Sequence, residues 1–242
     1  MIQTEKLTKQ FGDNTAVASL TLKIGAGEFF CFLGPNGAGK TTTIKMLTGL
    51  LHPTEGRAIL GGHDIQKEPV EAKQLIGYIP DAPFLYEKLT GREFMQFVAG
   101  LYRMTESQIA DNTERFLELF GLDGVSDQLI EDYSHGMRQK LSFAACFLHN
   151  PSIVIVDEPW VGLDPKNIRF VKNFLRQKTR EGVTVFMSTH TLSIAEEVAD
   201  CIGIINDGKL LYTGTVEEVR AVAKNPGTLE DIFLELTQED DG

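Results

Sequence analysis

GPNGAGKTT, residues 34–42, places Gly34, Gly39, Lys40 and Thr41 at the spacing G-x-x-x-x-G-K-[ST]. Glycines so spaced let the backbone curl until the N–H groups of Asn36, Gly37, Ala38, Gly39 and the residues after them converge on one point. Converging N–H groups at the start of a helix suit an anion, and phosphate oxygens above all. Lys40 can then reach a β- or γ-phosphate, and the Thr41 hydroxyl can ligate Mg²⁺, with Thr42 beside it. IVIVDEP, residues 153–159, complements that loop: an apolar run ends in Asp157, suited to a metal's water shell, and then Glu158. A carboxylate one residue past a metal-binding aspartate can orient and deprotonate a water, help worth about 10²–10⁴-fold in rate. His190 ends another apolar run, VFMSTH. Alone, a histidine at a strand end is a structural residue as readily as a functional one.

These residues need elements to bring them together. EFFCFLG (28–34), RAILGG, IGYIP, SIVIVDEP, VTVFMSTH and CIGIIN read as short strands, with helices between them at 67–75, 166–181 and 192–199. That alternation predicts an α/β fold with a mostly parallel sheet, which would carry Lys40, Asp157 and His190 to one crevice at the strand C-termini. Residues 1–27 alternate weakly and predict antiparallel strands beside the core, and Asn206-Asp207-Gly208 predicts a hairpin. From Leu89 to about Asn150 the periodicity is helical: REFMQFVAGLY, ESQIADNTERFLELFGL, then YSHGMRQK running into LSFAACFL. Ser134 is placed to cap that last helix. The expected organisation is one domain over 1–242: an α/β core from 1–84 and 151–214, a helical lobe over 85–150, and C-terminal helices with an acidic tail over 215–242.

With 42% hydrophobic and 24% charged residues, the 242-residue chain can bury a large core. Net charge −11 argues against non-specific nucleic-acid binding, and no nucleic acid is expected. No run approaches the 18–20 apolar residues of a membrane span, and MIQTEKLTKQFG lacks a secretory apolar region, so a cytoplasmic chain is expected. Cys31, Cys146 and Cys201 lie singly in apolar stretches and read as buried free thiols.

Together these segments resemble the ATP-binding subunits of ABC transporters, nearly end to end. GPNGAGKTT is similar to the family's Walker A, IVIVDEP to its Walker B, GLDP (162–165, with Asp164) to its D-loop, His190 to its H-loop histidine, and YSHGM (133–137) to its signature LSGGQ. Phe11, in KQFGDNTAV, matches the aromatic residue that stacks on adenine. The resemblance implies the ABC ATPase fold, ATP and Mg²⁺ as ligands, Glu158 and His190 as catalytic residues, and Thr41, Asp81 and Asp157 near the metal. It also implies that Ser134, His135 and Gly136 act on nucleotide held by a second ATP-binding subunit, identical or different. Transmembrane permease subunits would be separate chains, with this one peripheral on the inner face of the membrane.

The chain departs from the family pattern at named places. Asp81 stands where a glutamine follows a strand like IGYIP; it is shorter, charged, and can still reach Mg²⁺ or its water. Tyr133, His135 and Met137 replace Leu, Gly and Gln in the signature, and Trp160 and Val161 bring bulk that would pack an interface. PDAPFLYEKLTGREF offers Phe84, Leu85 and Tyr86 either as a docking surface or as packing beneath the lobe. TLEDIFLELT and the YSHGM form resemble bacterial exporters with separately encoded membrane subunits. Two other readings stay open: a soluble ABC ATPase with a non-membrane partner, and a P-loop kinase acting on a small molecule.

Overall fold

The computed structural model describes residues 1–160, 163–222 and Phe233; of residues 220–222 the backbone alone is described. Val161, Gly162 and the predicted helix TLEDIFLELT with its acidic tail, Phe233 apart, lie outside the described residues. In chain order the elements are β1 (Ile2–Phe11), β2 (Asn14–Ile24), β3 (Phe29–Leu33), α1 (Lys40–Leu47), β4 (Glu55–Leu60), β5 (His63–Asp64), α2 (Pro69–Gln74) and β6 (Ile76–Ile79). Then follow α3 (Gly91–Leu101), α4 (Glu106–Leu119), α5 (His135–Cys146), β7 (Ile153–Asp157), α6 (Pro165–Arg180), β8 (Thr184–Thr189), α7 (Leu192–Val198), β9 (Cys201–Asn206), β10 (Lys209–Thr215) and α8 (Val216–Val222).

Six strands form the central sheet in the order β10-β9-β3-β8-β7-β6. All its neighbouring pairs are parallel except β9–β10, joined antiparallel through Asp207 and Gly208, where the turn residues predict a hairpin. FFCFL, IVIVD and TVFMST are buried at every position, because helices and a second sheet cover both faces. Phe30, Phe32 and Phe186 pack on one side of this sheet against the β1–β2 strands. Cys31, Leu33, Val154 and Met187 join the lobe on the other.

The antiparallel sheet has the order β2-β1-β4-β5. It extends beyond residues 1–27: RAILGG, expected in the parallel sheet, instead pairs antiparallel with β1, Leu60 opposite Ile2. Its local pattern of an apolar run ending in glycines could not separate the two sheets; partner strands decide that. Two helices of the lobe start in full capping boxes. Thr90 and Thr105 accept from the N–H groups of Glu93 and Gln108, whose side chains accept in return. Cys31 and Cys146 are buried thiols as expected, whereas Cys201 is only half-buried. Trp160, expected to add bulk to an interface, is 8% exposed and packs in the chain's own core.

Candidate nucleotide site

Register places the chemistry. Leu33 lies level with Thr189, Asp157 with Ser188, and Ile79 with Val156, so four neighbouring parallel strands end together. Past those ends come Gly34, His190, Glu158 and Asp81. Of these, Asp81 and Glu158 line a cleft of 240 Å³ together with Asn36, Gly37, Gly39, Lys40, Thr41 and Thr42. A larger hollow of 540 Å³ lies away from these residues, on the antiparallel sheet between Glu5, Arg57 and Asp64.

The glycine loop is held from behind. Gly39 has φ +106°, and a Cβ there would stand 2.5 Å from the Ala16 carbonyl oxygen; one at Gly34 would stand 2.4 Å from that of Ile205. Both glycines are required by close backbone approach as well as by a curled loop. Ala38 is buried, its carbonyl accepting from the Gly208 N–H at 3.0 Å, so its side chain belongs to the loop's support. Lys40 is buried too: its Nζ donates to the Gly34 carbonyl at 2.7 Å and the Pro35 carbonyl at 3.1 Å, and lies 3.7 Å from Glu158 Oε1.

Glu158 Oε1 also lies 2.9 Å from His190 Nδ1, so one carboxylate oxygen links the lysine and the histidine. Glu158 sits at φ +43°, a left-handed backbone unusual for a side chain with a Cβ. Its N–H reaches the Ser188 hydroxyl at 3.2 Å, and that hydroxyl donates to Asp157 Oδ1. Ser188 thus orients both acids. The sequence does not single it out, although a serine inside the apolar run VFMSTH is a signal that could have found it.

Asp157 is 1% exposed, and its Oδ2 is buried without a hydrogen-bond partner. Burial pushes its carboxyl above the usual range; the Ser188 and Thr41 hydroxyls oppose the shift, and the charges of Asp81 and Glu158 add to it. A buried, unpartnered carboxylate oxygen beside a threonine hydroxyl fits a hard cation such as Mg²⁺. Asp81 is exposed, with Oδ1 accepting from the Ala82 N–H at 2.8 Å. Among the described residues no three His, Cys, Asp or Glu side chains form a self-sufficient metal centre, so water or substrate oxygens would complete the coordination.

The remaining candidates stand apart from this cleft. Phe11 is 51% exposed with Lys9 Nζ 5.1 Å from its ring centroid, an open aromatic face at the end of β1. Ser134 caps α5, accepting from the Met137 N–H at 3.3 Å; with His135 and Gly136 it is absent from the cleft lining. Tyr133 is buried, its hydroxyl donating to the Val125 carbonyl at 2.8 Å, so this replacement in the signature serves the lobe's core. Asp164 caps α6 through the N–H and side chain of Asn167. Phe84 is 84% exposed and Tyr86 half exposed, while Leu85 packs against the core, so the segment divides between surface and packing.

A phosphate loop, acids at one strand end and a histidine at the next, with a helical lobe inserted before the second acid strand, define a P-loop nucleotide-binding protein of the ATP-binding-cassette class. The ABC transporter family model matches residues 17–161, and the chain belongs to that family. It is 36% identical over 215 residues to the linearmycin resistance ATP-binding protein of Bacillus subtilis, covering 89% of this chain and 69% of that one. With the bacitracin transport ATP-binding protein of Enterococcus faecalis it shares 38% identity over 220 residues, 90% and 70% of the two chains. A probable multidrug ABC transporter ATP-binding protein of Escherichia coli is 35% identical over 243 residues; the match takes in 99% of this chain and 42% of that longer relative. Among solved structures, an ATP-binding subunit of an ABC transporter superposes with a TM-score of 0.92 at 29% identity, over 98% of this chain and 99% of that one.

Proposed function

We propose that this chain binds and hydrolyses ATP and, as a pair of ATP-binding subunits, powers separate membrane subunits, in an exporter. The convergence of Lys40, Asp157, Glu158 and His190 at adjacent strand ends carries this reading. The glycine-loop N–H groups and Lys40 would hold the β- and γ-phosphates, which requires Lys40 to leave its own loop carbonyls. Thr41, Asp157 and Asp81 would hold Mg²⁺, which when bound neutralises phosphate charge. Glu158 would orient and deprotonate the attacking water, and His190, bonded to Glu158, would steady that carboxylate and face the γ-phosphate. Phe11 presents its open face for adenine stacking.

The helix start at Ser134–Gly136 is exposed or half-buried and lies off its own chain's cleft, which supports action in trans on the nucleotide of a second copy. No helix among the described residues is long and apolar enough to cross a membrane, so transport would need partner chains that do. The membrane subunits would seat at the groove between core and lobe lined by Leu50, Tyr78, Phe84, Val98 and Tyr102, holding the chain at the cytoplasmic face. Names of relatives that speak of resistance and of bacitracin transport favour export.

Phosphate release tests the activity: Glu158→Gln should retain nucleotide binding and slow release by about 10²–10⁴-fold. Formation of a phosphorylated small molecule in place of free phosphate would refute hydrolysis and restore the kinase reading.

A further inference from the structure

The left-handed backbone of Glu158, at φ +43°, is one that a residue with a Cβ keeps only where its surroundings enforce it. Two side chains hold it from opposite directions along the chain. The Ser188 hydroxyl receives the Glu158 N–H at 3.2 Å, and Gln139 Nε2 donates to the carbonyl of the next residue, Pro159, at 3.3 Å. Ser188 belongs to β8 of the core, whereas Gln139 belongs to α5, the lobe helix capped by Ser134. The backbone carrying the proposed base is thus fixed by core and lobe together. The lobe's hold is incomplete. Gln139 is wholly buried, yet its Oε1 has no hydrogen-bond partner; Trp160, directly after Pro159, is 8% exposed, and its Nε1 has none either. An amide oxygen can only accept and an indole N–H can only donate, and buried groups of both kinds are normally paired. A free acceptor and a free donor therefore border on the same residue, one position past Glu158.

We propose that Gln139 is a positioning residue for Glu158, its free oxygen taking the Trp160 N–H when α5 is drawn against the end of β7 on nucleotide binding. This deepens the ATP-hydrolysis reading and rests on it. The start of α5 is the part that would meet a second copy's nucleotide, so contact there would pass through Gln139 to the backbone that holds this chain's own base. With the amide oxygen and the indole unpaired, the lobe holds that backbone through one long bond; with them paired, it holds Pro159 and Trp160 together.

Trp160 is the chain's single tryptophan, so its emission reads this place alone. An indole N–H that gains an acceptor emits at longer wavelength, because the acceptor stabilises the larger dipole of the excited ring. In Glu158→Gln, MgATP should shift the emission to longer wavelength. Adding Gln139→Met keeps the side chain's length and removes both polar atoms; that double variant should bind MgATP equally by equilibrium dialysis and show no shift. With Glu158 intact, Gln139→Met should lower kcat by about ten- to a hundredfold at an unchanged KM, as a misplaced catalytic group does. Trp160→Phe removes the N–H but leaves a ring in the core, and should lower kcat in the same way. An equal shift with and without Gln139, no shift in a Glu158→Gln protein that binds MgATP, or a Trp160→Phe kcat equal to wild type overturns the proposal and leaves the nucleotide site standing. If none of the proteins binds MgATP, the nucleotide reading fails and this inference with it.

Discussion

At the scale of single residues, Ser188 shows how much of the site depends on a group with no reactivity of its own. Its hydroxyl donates to Asp157 and receives the Glu158 N–H, fixing the proposed metal ligand and the proposed base relative to each other. Ser188→Ala should therefore lower turnover by roughly ten- to a hundredfold, the range seen when an orienting partner is lost. Nucleotide affinity, set by the loop and Lys40, should change little. A kcat unchanged in Ser188→Ala, by steady-state phosphate release, would contradict this. Lys40, Thr41, Asp157, Glu158 and His190 were legible in the sequence because phosphate chemistry restricts both residue type and spacing. Ser188 was not, since a buried serine in a strand has many structural uses and only the register against Asp157 reveals this one. Trp160 misled for a related reason: a large aromatic after a functional acid suits an interface or a core equally, and only packing decides.

Elements set where the site residues stand, and the join between lobe and core is built at one carbonyl. Tyr102, at the end of α3, donates its hydroxyl to the Ile76 carbonyl at 3.3 Å, and His149, just after α5, reaches the same oxygen through Nε2 at 3.1 Å. Their rings stack 3.5 Å apart. Ile76 begins β6, the strand that ends before Asp81, so the lobe grips the strand serving the cleft. A carbonyl can only accept, so Nε2 carries a proton, and the enclosed Nδ1, without a hydrogen-bond partner, favours the neutral imidazole in the fold. Burial lowers its pKa from 6.5 to about 4. Between those values the unfolded chain binds a proton that the folded chain refuses, so stability falls as pH drops through that window, by at most about 1.4 kcal/mol per pH unit. Urea unfolding from pH 7 to 4.5 should show a flatter dependence for His149→Gln than for wild type; parallel curves would exclude His149 as the source. Thr90→Ala removes a capping box at the start of α3 and should cost about 1 kcal/mol in the same assay, with a midpoint equal to wild type as the contrary result. Caps, hairpin and buried strands were readable locally. The sheet to which β4 belongs was not, because pairing with β1 is a contact between residues some fifty positions apart.

For the whole molecule, the division of labour is the main physical point. The cleft holds the loop, Lys40, Asp81 and Glu158, with His190 bonded to Glu158 behind it, while the helix that starts at Ser134 lies in the lobe and does not line that cleft. On the proposed reading such a chain carries two halves of a site, and symmetry would complete both if two copies met head to tail. The fold class was legible from alternation of strands and helices, and the family from the order of its motifs. Assembly was not, since it depends on surfaces that no local pattern specifies. Sedimentation of Glu158→Gln with and without MgATP tests the central claim most directly. Blocking hydrolysis while leaving the phosphate-binding groups in place should give a monomer without nucleotide and a dimer with it. A chain that binds ATP tightly yet stays monomeric would contradict the account.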